Sequence, residues 1–165
     1  MAEHIAVIRW RNGGPDFPGG KYSRLHTWEF DGGVQVRGSA APSVVPAPWS
    51  DPTAVDPEEA LVAAIASCHM LTFLYLAGKA GLVVESYDDR AVGYLTKQPG
   101  GVPWVSRAEL RPRIRFSGRE PSAEELAELH HKAHEQCFIA QSVKTEIVVL
   151  EPLAEEEAEE SSLEA

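Results

Sequence analysis

The sequence predicts an α+β fold with antiparallel sheet and two long helices. Three features predict it: a strand–turn–strand pattern over residues 22–40, an apolar run of helical length from Glu58, and a capped amphipathic segment opening at Ser122. Along the chain the elements read β-β-β, helix, β-β, helix, β.

Residues 5–11 (IAVIRWR) read as the first strand, and the Gly- and Pro-rich segment 13–20 as a turn. YSRLHTWEF (22–30), the turn Asp31-Gly32-Gly33 and VQVRGSA (34–40) form a hairpin, since glycines in the turn supply the backbone angles a tight reversal needs. The stretch 41–57 is long and irregular. Pro42, Pro46, Pro48 and Pro52 argue against a helix interior or a central strand there. A connection of that length often has a functional role.

From Glu58 the pattern is helical, EEALVAAIASCHMLTFLYLAGKAG. Asp56 is placed to cap it, Pro57 suits the first turn, Glu58 and Glu59 favour the positive helix end, and Gly78 or Gly81 ends it. Between Ala60 and Ala77 only Ser67, His69 and Thr72 are clearly polar. A helix apolar nearly all round is buried on most sides, here at the centre of the core or against a second chain. Residues 82–95 read as one or two strands, 96–103 as a turn and 104–116 as a further strand region. Leu110, Ile114 and Phe116 face inward there, and Pro112 marks an edge or a bulge. Ser122-Ala123-Glu124-Glu125 is a capping box opening a helix to about residue 136. Leu126, Leu129, Ala133 and Cys137 follow as one apolar stripe. Residues 143–150 form a last strand.

The length of 165 residues and ordinary globular composition suit one domain, spanning residues 1–150. The 15 Lys plus Arg stand against 25 Asp plus Glu, a net charge of −10. Seven of the acidic residues are Glu within 151–165, where no Lys or Arg stands, so residues 1–150 carry only −3. That tail reads as disordered. Nothing advertises the basic patch that a nucleic acid or an anionic membrane would need. No stretch approaches 18 uninterrupted apolar residues, and the start MAEHIAVIRW does not read as a signal peptide. The expectation is a cytoplasmic protein with no membrane or nucleic-acid partner.

Two cysteines, Cys68 and Cys137, stand 69 positions apart. In a reducing compartment such a pair serves chemistry more often than stapling. By its neighbours alone Cys68 reads equally well as an inert, buried small hydrophobe. A reactive thiol there needs a cation from elsewhere, and the first hairpin offers Arg24 and Arg37. His130, His131 and His134 resemble a metal cluster, but Lys132 and Ala133 occupy the gap where a zincin carries Glu. Solvated or interface histidines are the better reading, and the expectation is no metal and no cofactor. A cysteine hydrolase using His69 or His134 would need an elbow motif that the sequence lacks. The four tryptophans scatter without basic interleaving, which favours packing roles.

These residues resemble the OsmC/Ohr family, the osmotically inducible and organic-hydroperoxide-resistance proteins. The resemblance covers roughly residues 5–150. It is carried by Asp56-Pro57-Glu58-Glu59-Ala60-Leu61 continuing through AAIASCHM, by HEQCFIAQSV over 134–143, and by YSRLHTWEFDGG with VQVRGSAAP. Cys137-Phe138 stands where the Ohr branch typically has Cys-Pro, which favours the wider OsmC-like branch.

The resemblance implies the OsmC-like fold as an intertwined homodimer with active sites at the interface. It implies a thiol-dependent peroxidase acting on organic hydroperoxides. Cys68 would be the peroxidatic cysteine and Cys137 the resolving one. Arg24 would assist Cys68, with Arg37 the second position on the hairpin, and Glu58 would orient the arginine. An external dithiol (a lipoyl group, thioredoxin or a small thiol) would reduce the resulting disulfide. Ile65, Met70 or Phe73 would contribute an apolar wall to the substrate pocket. A helix rises about 1.5 Å per residue, so Glu58 and Cys68 of one chain would stand about 15 Å apart. Either Glu58 serves the other protomer's site or the helix starts later. The alternatives are a noncatalytic homodimeric stress or small-ligand-binding protein and, further off, a cysteine-dependent hydrolase.

Overall fold

Residues 56–59 set the start of the first helix. The Glu59 N–H donates to Asp56 Oδ1 at 2.8 Å, and the Asp56 N–H donates to Glu59 Oε2 at 3.1 Å. This reciprocal capping box has Pro57 at the first helical position, where no N–H is needed. Helix α1 then runs Pro57–Lys79. It ends in a Schellman motif: Gly81, at φ 75°, donates its N–H to Gly78 O at 3.1 Å, and Leu82 donates to Ala77 O at 3.0 Å. Only glycine takes that left-handed conformation without strain.

The computed structural model describes residues 1–150 and divides into two units, Met1–Leu61 and the residues from Val62 onward. The tail 151–165 lies outside the described residues.

In the first unit β1 (Ala6–Arg9), β2 (His26–Phe30) and β3 (Gln35–Gly38) form an antiparallel sheet in that order. Trp28 pairs with Ile8 on one side and Val36 on the other. The hairpin turn has Gly33 at φ 85°, and Gly33 donates its N–H to Phe30 O at 2.9 Å. Residues 22–25, expected in strand, are instead irregular, because the Arg24 side chain turns back onto the carbonyls of Gly20 and Tyr22. The segment 41–55 holds no helix and no strand beyond a bridge from Gly38 to Val55.

In the second unit the expected single strand region 104–116 is two strands in two different sheets. β4 (Val83–Asp89) pairs antiparallel with β7 (Pro112–Ser117). β5 (Val92–Thr96) pairs antiparallel with β6 (Trp104–Leu110), and β6 pairs parallel with β8 (Glu146–Val149). The chain changes sheets at Arg111-Pro112, where proline supplies no N–H to continue a ladder. Among the named strands of the described residues β6–β8 is the parallel pair, and the isolated Gly38–Val55 bridge is parallel as well.

Helix α2 (Ala123–Gln136) is capped by Ser122, whose Oγ accepts the Glu125 N–H at 3.1 Å. Its stripe packs inward: Leu129 and Ala133 join Phe73, Ala77 and Leu82 in the core, with Leu126, Ile114 and Phe116 against them. By length and composition α1 also meets the requirement for crossing a membrane, which the core helix of a soluble protein meets equally. Here its residues Ile65, His69, Phe73 and Ala77 are buried in protein.

Candidate functional site

The two cysteines meet within the second unit. Cys68 is half-buried midway along α1; Cys137 is only 1% exposed and caps the C-terminus of α2. α2 stops there because Cys137 takes extended angles, φ −73° and ψ 116°. The chain then enters a short 3-10 turn at Ala140–Ser142, tied by the Ser142 hydroxyl donating to Phe138 O at 2.7 Å.

That turn aims backbone donors at both sulfurs. The Ile139 N–H donates to Cys68 Sγ at 3.5 Å, and the Ala140 N–H donates to Cys137 Sγ at 3.3 Å. The Cys137 thiol is itself hydrogen-bonded to Cys68. Burial pushes the Cys137 thiol above its ordinary pKa, and the bond to Cys68 pushes it further the same way. Cys137 is therefore held as a thiol. Both cysteines are free.

The same two helices are joined by a histidine pair that the sequence reading missed. His69 is 1% exposed, and its Nε2 stands 3.0 Å from His130 Nδ1. The two rings lie within 9° of parallel with centroids 5.4 Å apart, and His130 stacks on Phe73 at 4.6 Å. Burial drives both histidines down to about 4, and so they stay neutral at ordinary pH. The signal was present. His69 follows the buried four-residue step Ile65, Phe73, Ala77, and His130 lies two turns before Cys137 on the stripe side of α2. His130 is half-buried and packs against His69 and Phe73. Among the described residues no three His, Cys, Asp or Glu side chains cluster closely enough to hold a metal. A groove of about 850 Å³ between β7, α2 and β8 is lined by Ile114, Phe116, Leu126 and His130 among others, and neither cysteine lines it.

Arg24 and Glu58 lie in the first unit. The Arg24 Nη1 donates to Gly20 O and Tyr22 O, both at 2.6 Å, and its guanidinium covers the Tyr22 ring at 3.8 Å. The Arg24 backbone is fixed as well. Its N–H donates to Trp49 O at 2.9 Å, and its carbonyl lies 2.7 Å from His26 Nδ1, while Trp28 Nε1 donates to His26 Nε2 at 2.6 Å. A Cβ at Gly38 would run into those His26 and Trp28 rings, so glycine is required there. Arg37 is exposed and ion-paired to Asp51 at 2.6 Å. Glu58 is half-buried in the first turn of α1. The helix does not start later than drawn, so ten helical residues, about 15 Å, separate it from Cys68. Of the expected apolar wall, Ile65 and Phe73 are fully buried core residues and face no open pocket, whereas Met70 is half-buried.

A family model described as OsmC-like protein matches residues 50–151. The chain belongs to the OsmC-like family. An OsmC-like protein of unknown function from Vibrio cholerae is 51% identical, with a TM-score of 0.86 over 91% of this chain and 99% of that one. An organic hydroperoxide resistance protein from Elizabethkingia anophelis, solved with thiocyanate bound, is 14% identical at a TM-score of 0.69, covering 93% and 98%. One from Legionella pneumophila is 18% identical at 0.61, covering 90% and 97%. At those identities the last two share the OsmC-like fold. No curated protein matched this OsmC-like chain.

Proposed function

We propose that this OsmC-like protein is a thiol-dependent peroxidase that reduces organic hydroperoxides. The observation that carries the reading is the convergence of Cys68 and Cys137, from two helices, on one turn whose successive amides at Ile139 and Ala140 donate to the two sulfurs. The Cys68 thiolate attacks the distal oxygen of ROOH. The O–O bond breaks, the alkoxide takes a proton and leaves as alcohol, and Cys68 becomes a sulfenic acid. The Cys137 sulfur then attacks Cys68. An S–S bond forms, the S–O bond breaks, and the Cys137 proton leaves with the hydroxyl as water. An external dithiol reduces the disulfide by exchange and is itself oxidised.

The burial of Cys137 and the partial exposure of Cys68 support this division of labour, because the peroxide must reach the first sulfur and not the second. Arg24 is the cation of the first step, stabilising the thiolate and the departing oxygen, and Glu58 orients it. The distance along α1 favours Glu58 acting in a partner protomer's site. The homodimer is supported by the apolar stripe that α1 leaves uncovered. Leu71 is 60% and Tyr75 58% exposed, in line with exposed Ala64, Ser67 and Gly78 at steps of three and four residues.

The test is a single turnover of the prereduced protein with cumene hydroperoxide, counting free thiols before and after. The native chain is expected to lose both thiols for each peroxide consumed. Cys68→Ser consumes none, and Cys137→Ser consumes peroxide once and accumulates a dimedone-reactive sulfenic acid. Peroxide and thiols left unchanged by the native protein would overturn the reading.

A further inference from the structure

We propose that the His69–His130 hydrogen bond aligns Cys137 with Cys68, making the two histidines positioning residues for disulfide closure. The inference rests on the peroxidase reading for the step it serves, and on geometry for the alignment itself.

His69 follows Cys68 directly on α1, and His130 stands seven residues before Cys137 on α2. Seven residues are close to two helical turns, so His130 and Cys137 share a face of α2. The 3.0 Å bond from Nε2 of one ring to Nδ1 of the other therefore ties α1 to α2 one residue from Cys68 and two turns from Cys137. It is a rigid link. The two rings are within 9° of parallel, and the His130 ring is stacked against Phe73, itself fully buried. Closing a disulfide demands a narrow range of Cα separation and dihedral angle, so a small slip of α2 along α1 would take the sulfurs out of reach.

The bond also has a direction. His69 Nδ1 is buried with no hydrogen-bond partner. An orphaned N–H donor is the rarer and costlier defect, so Nδ1 is unprotonated and the proton sits on Nε2. His69 Nε2–H thus donates to His130 Nδ1, and His130 carries its own proton on Nε2. Both rings are neutral, and the link brings no charge beside the thiols.

Three variants test this. Asparagine at 130 can keep an acceptor near the Nδ1 position, glutamine at 69 can keep a donor near Nε2, and leucine at 130 keeps bulk without the acceptor. Sulfenic acid formation and loss of the second thiol are followed separately after one equivalent of cumene hydroperoxide. His130→Leu is expected to slow disulfide closure relative to peroxide consumption by about fivefold to tenfold, the range that one net hydrogen bond commands. His130→Asn and His69→Gln are expected to recover most of that loss. Should the leucine variant close its disulfide at the native rate, or should both steps slow in proportion, the positioning role is wrong.

A second measurement separates this failure from failure of the peroxidase reading. Each protein is equilibrated in glutathione redox buffers, where no peroxide is involved. The Cys68–Cys137 disulfide of His130→Leu is expected to be less favoured by the same factor, with His130→Asn near native. An unchanged equilibrium in the leucine variant overturns the alignment even if the native chain proves inert to peroxide. A shifted equilibrium in an inert chain keeps the alignment and discards the peroxidase.

Discussion

Helix α2 turns Leu129, Ala133 and Cys137 inward and leaves charged residues outside, where Lys132 and Glu128 pair at 3.0 Å. Helix α1 buries Ile65, His69, Phe73 and Ala77 and still leaves Leu71 and Tyr75 more than half exposed. One helix completes its burial within the chain, and the other does not. The thiols follow the same division. Cys137 sits at the end of the helix that is satisfied, shielded and protonated, while Cys68 sits midway along the helix that still has surface to give. A single chain thus gives Cys137 a finished environment and leaves that of Cys68 open on one side.

The comparison can be broken first at the core that joins the helices. Phe73→Ala is expected to cost about 4 kcal/mol in urea unfolding, because it opens a cavity beneath His130 as well as removing apolar surface. A cost near that of an ordinary surface change would mean that the two helices are not held by this contact.

Acid gives the next largest effect. His69 and His130 have folded values near 4 against an ordinary value of 6.5. Between those limits the unfolded chain binds protons that the folded chain refuses, so stability rises with pH across the window. The stabilisation is fully present above about 6.5 and is lost as pH falls towards 4. Each histidine contributes up to about 1.4 kcal/mol per pH unit within the window. Unfolding midpoints at pH 6.5, 5.5 and 5.0 should drop steadily, and His130→Asn should flatten the slope. An equal slope in that variant would place the proton uptake elsewhere.

The smallest effects sharpen the contrast at the helix starts. Ser122→Ala should cost about 1 kcal/mol through the loss of a single cap bond. Asp56→Ala should cost somewhat more, since Asp56 and Glu59 cap each other reciprocally. Thermal midpoints of the two variants, measured together, decide the order.

Both helices were legible in the sequence because their signals are local. Ser122 with Glu125, Asp56 with Pro57, and Gly81 are caps written within a turn of the elements they bound. The hairpin around Gly33 was legible for the same reason. The division of 104–116 into β6 and β7 was not, because the alternation of apolar residues runs on through Arg111-Pro112 while the hydrogen bonding changes partner. Nor was the parallel pairing of β8 with β6, which joins residues 39 positions apart, such as Arg107 and Glu146. At the candidate site the two cysteines stood out by their rarity. The His69–His130 bond spans 61 positions, and each histidine taken alone fits several ordinary roles. The backbone donors of Ile139 and Ala140 carry no side-chain signature at all.

The placement of β8 bears on how the protein is made. Residues 146–149 complete a sheet with β6, and Leu150 adds an N–H bond to Leu110 O at 2.8 Å. The turn that holds both sulfurs lies directly before this strand. On the ribosome Cys68 is polymerised 69 residues ahead of Cys137, so the nascent chain carries a lone thiol over that stretch of its synthesis. Oxidants met during translation would find that sulfur before its partner, its amide donors or its histidine clamp exist.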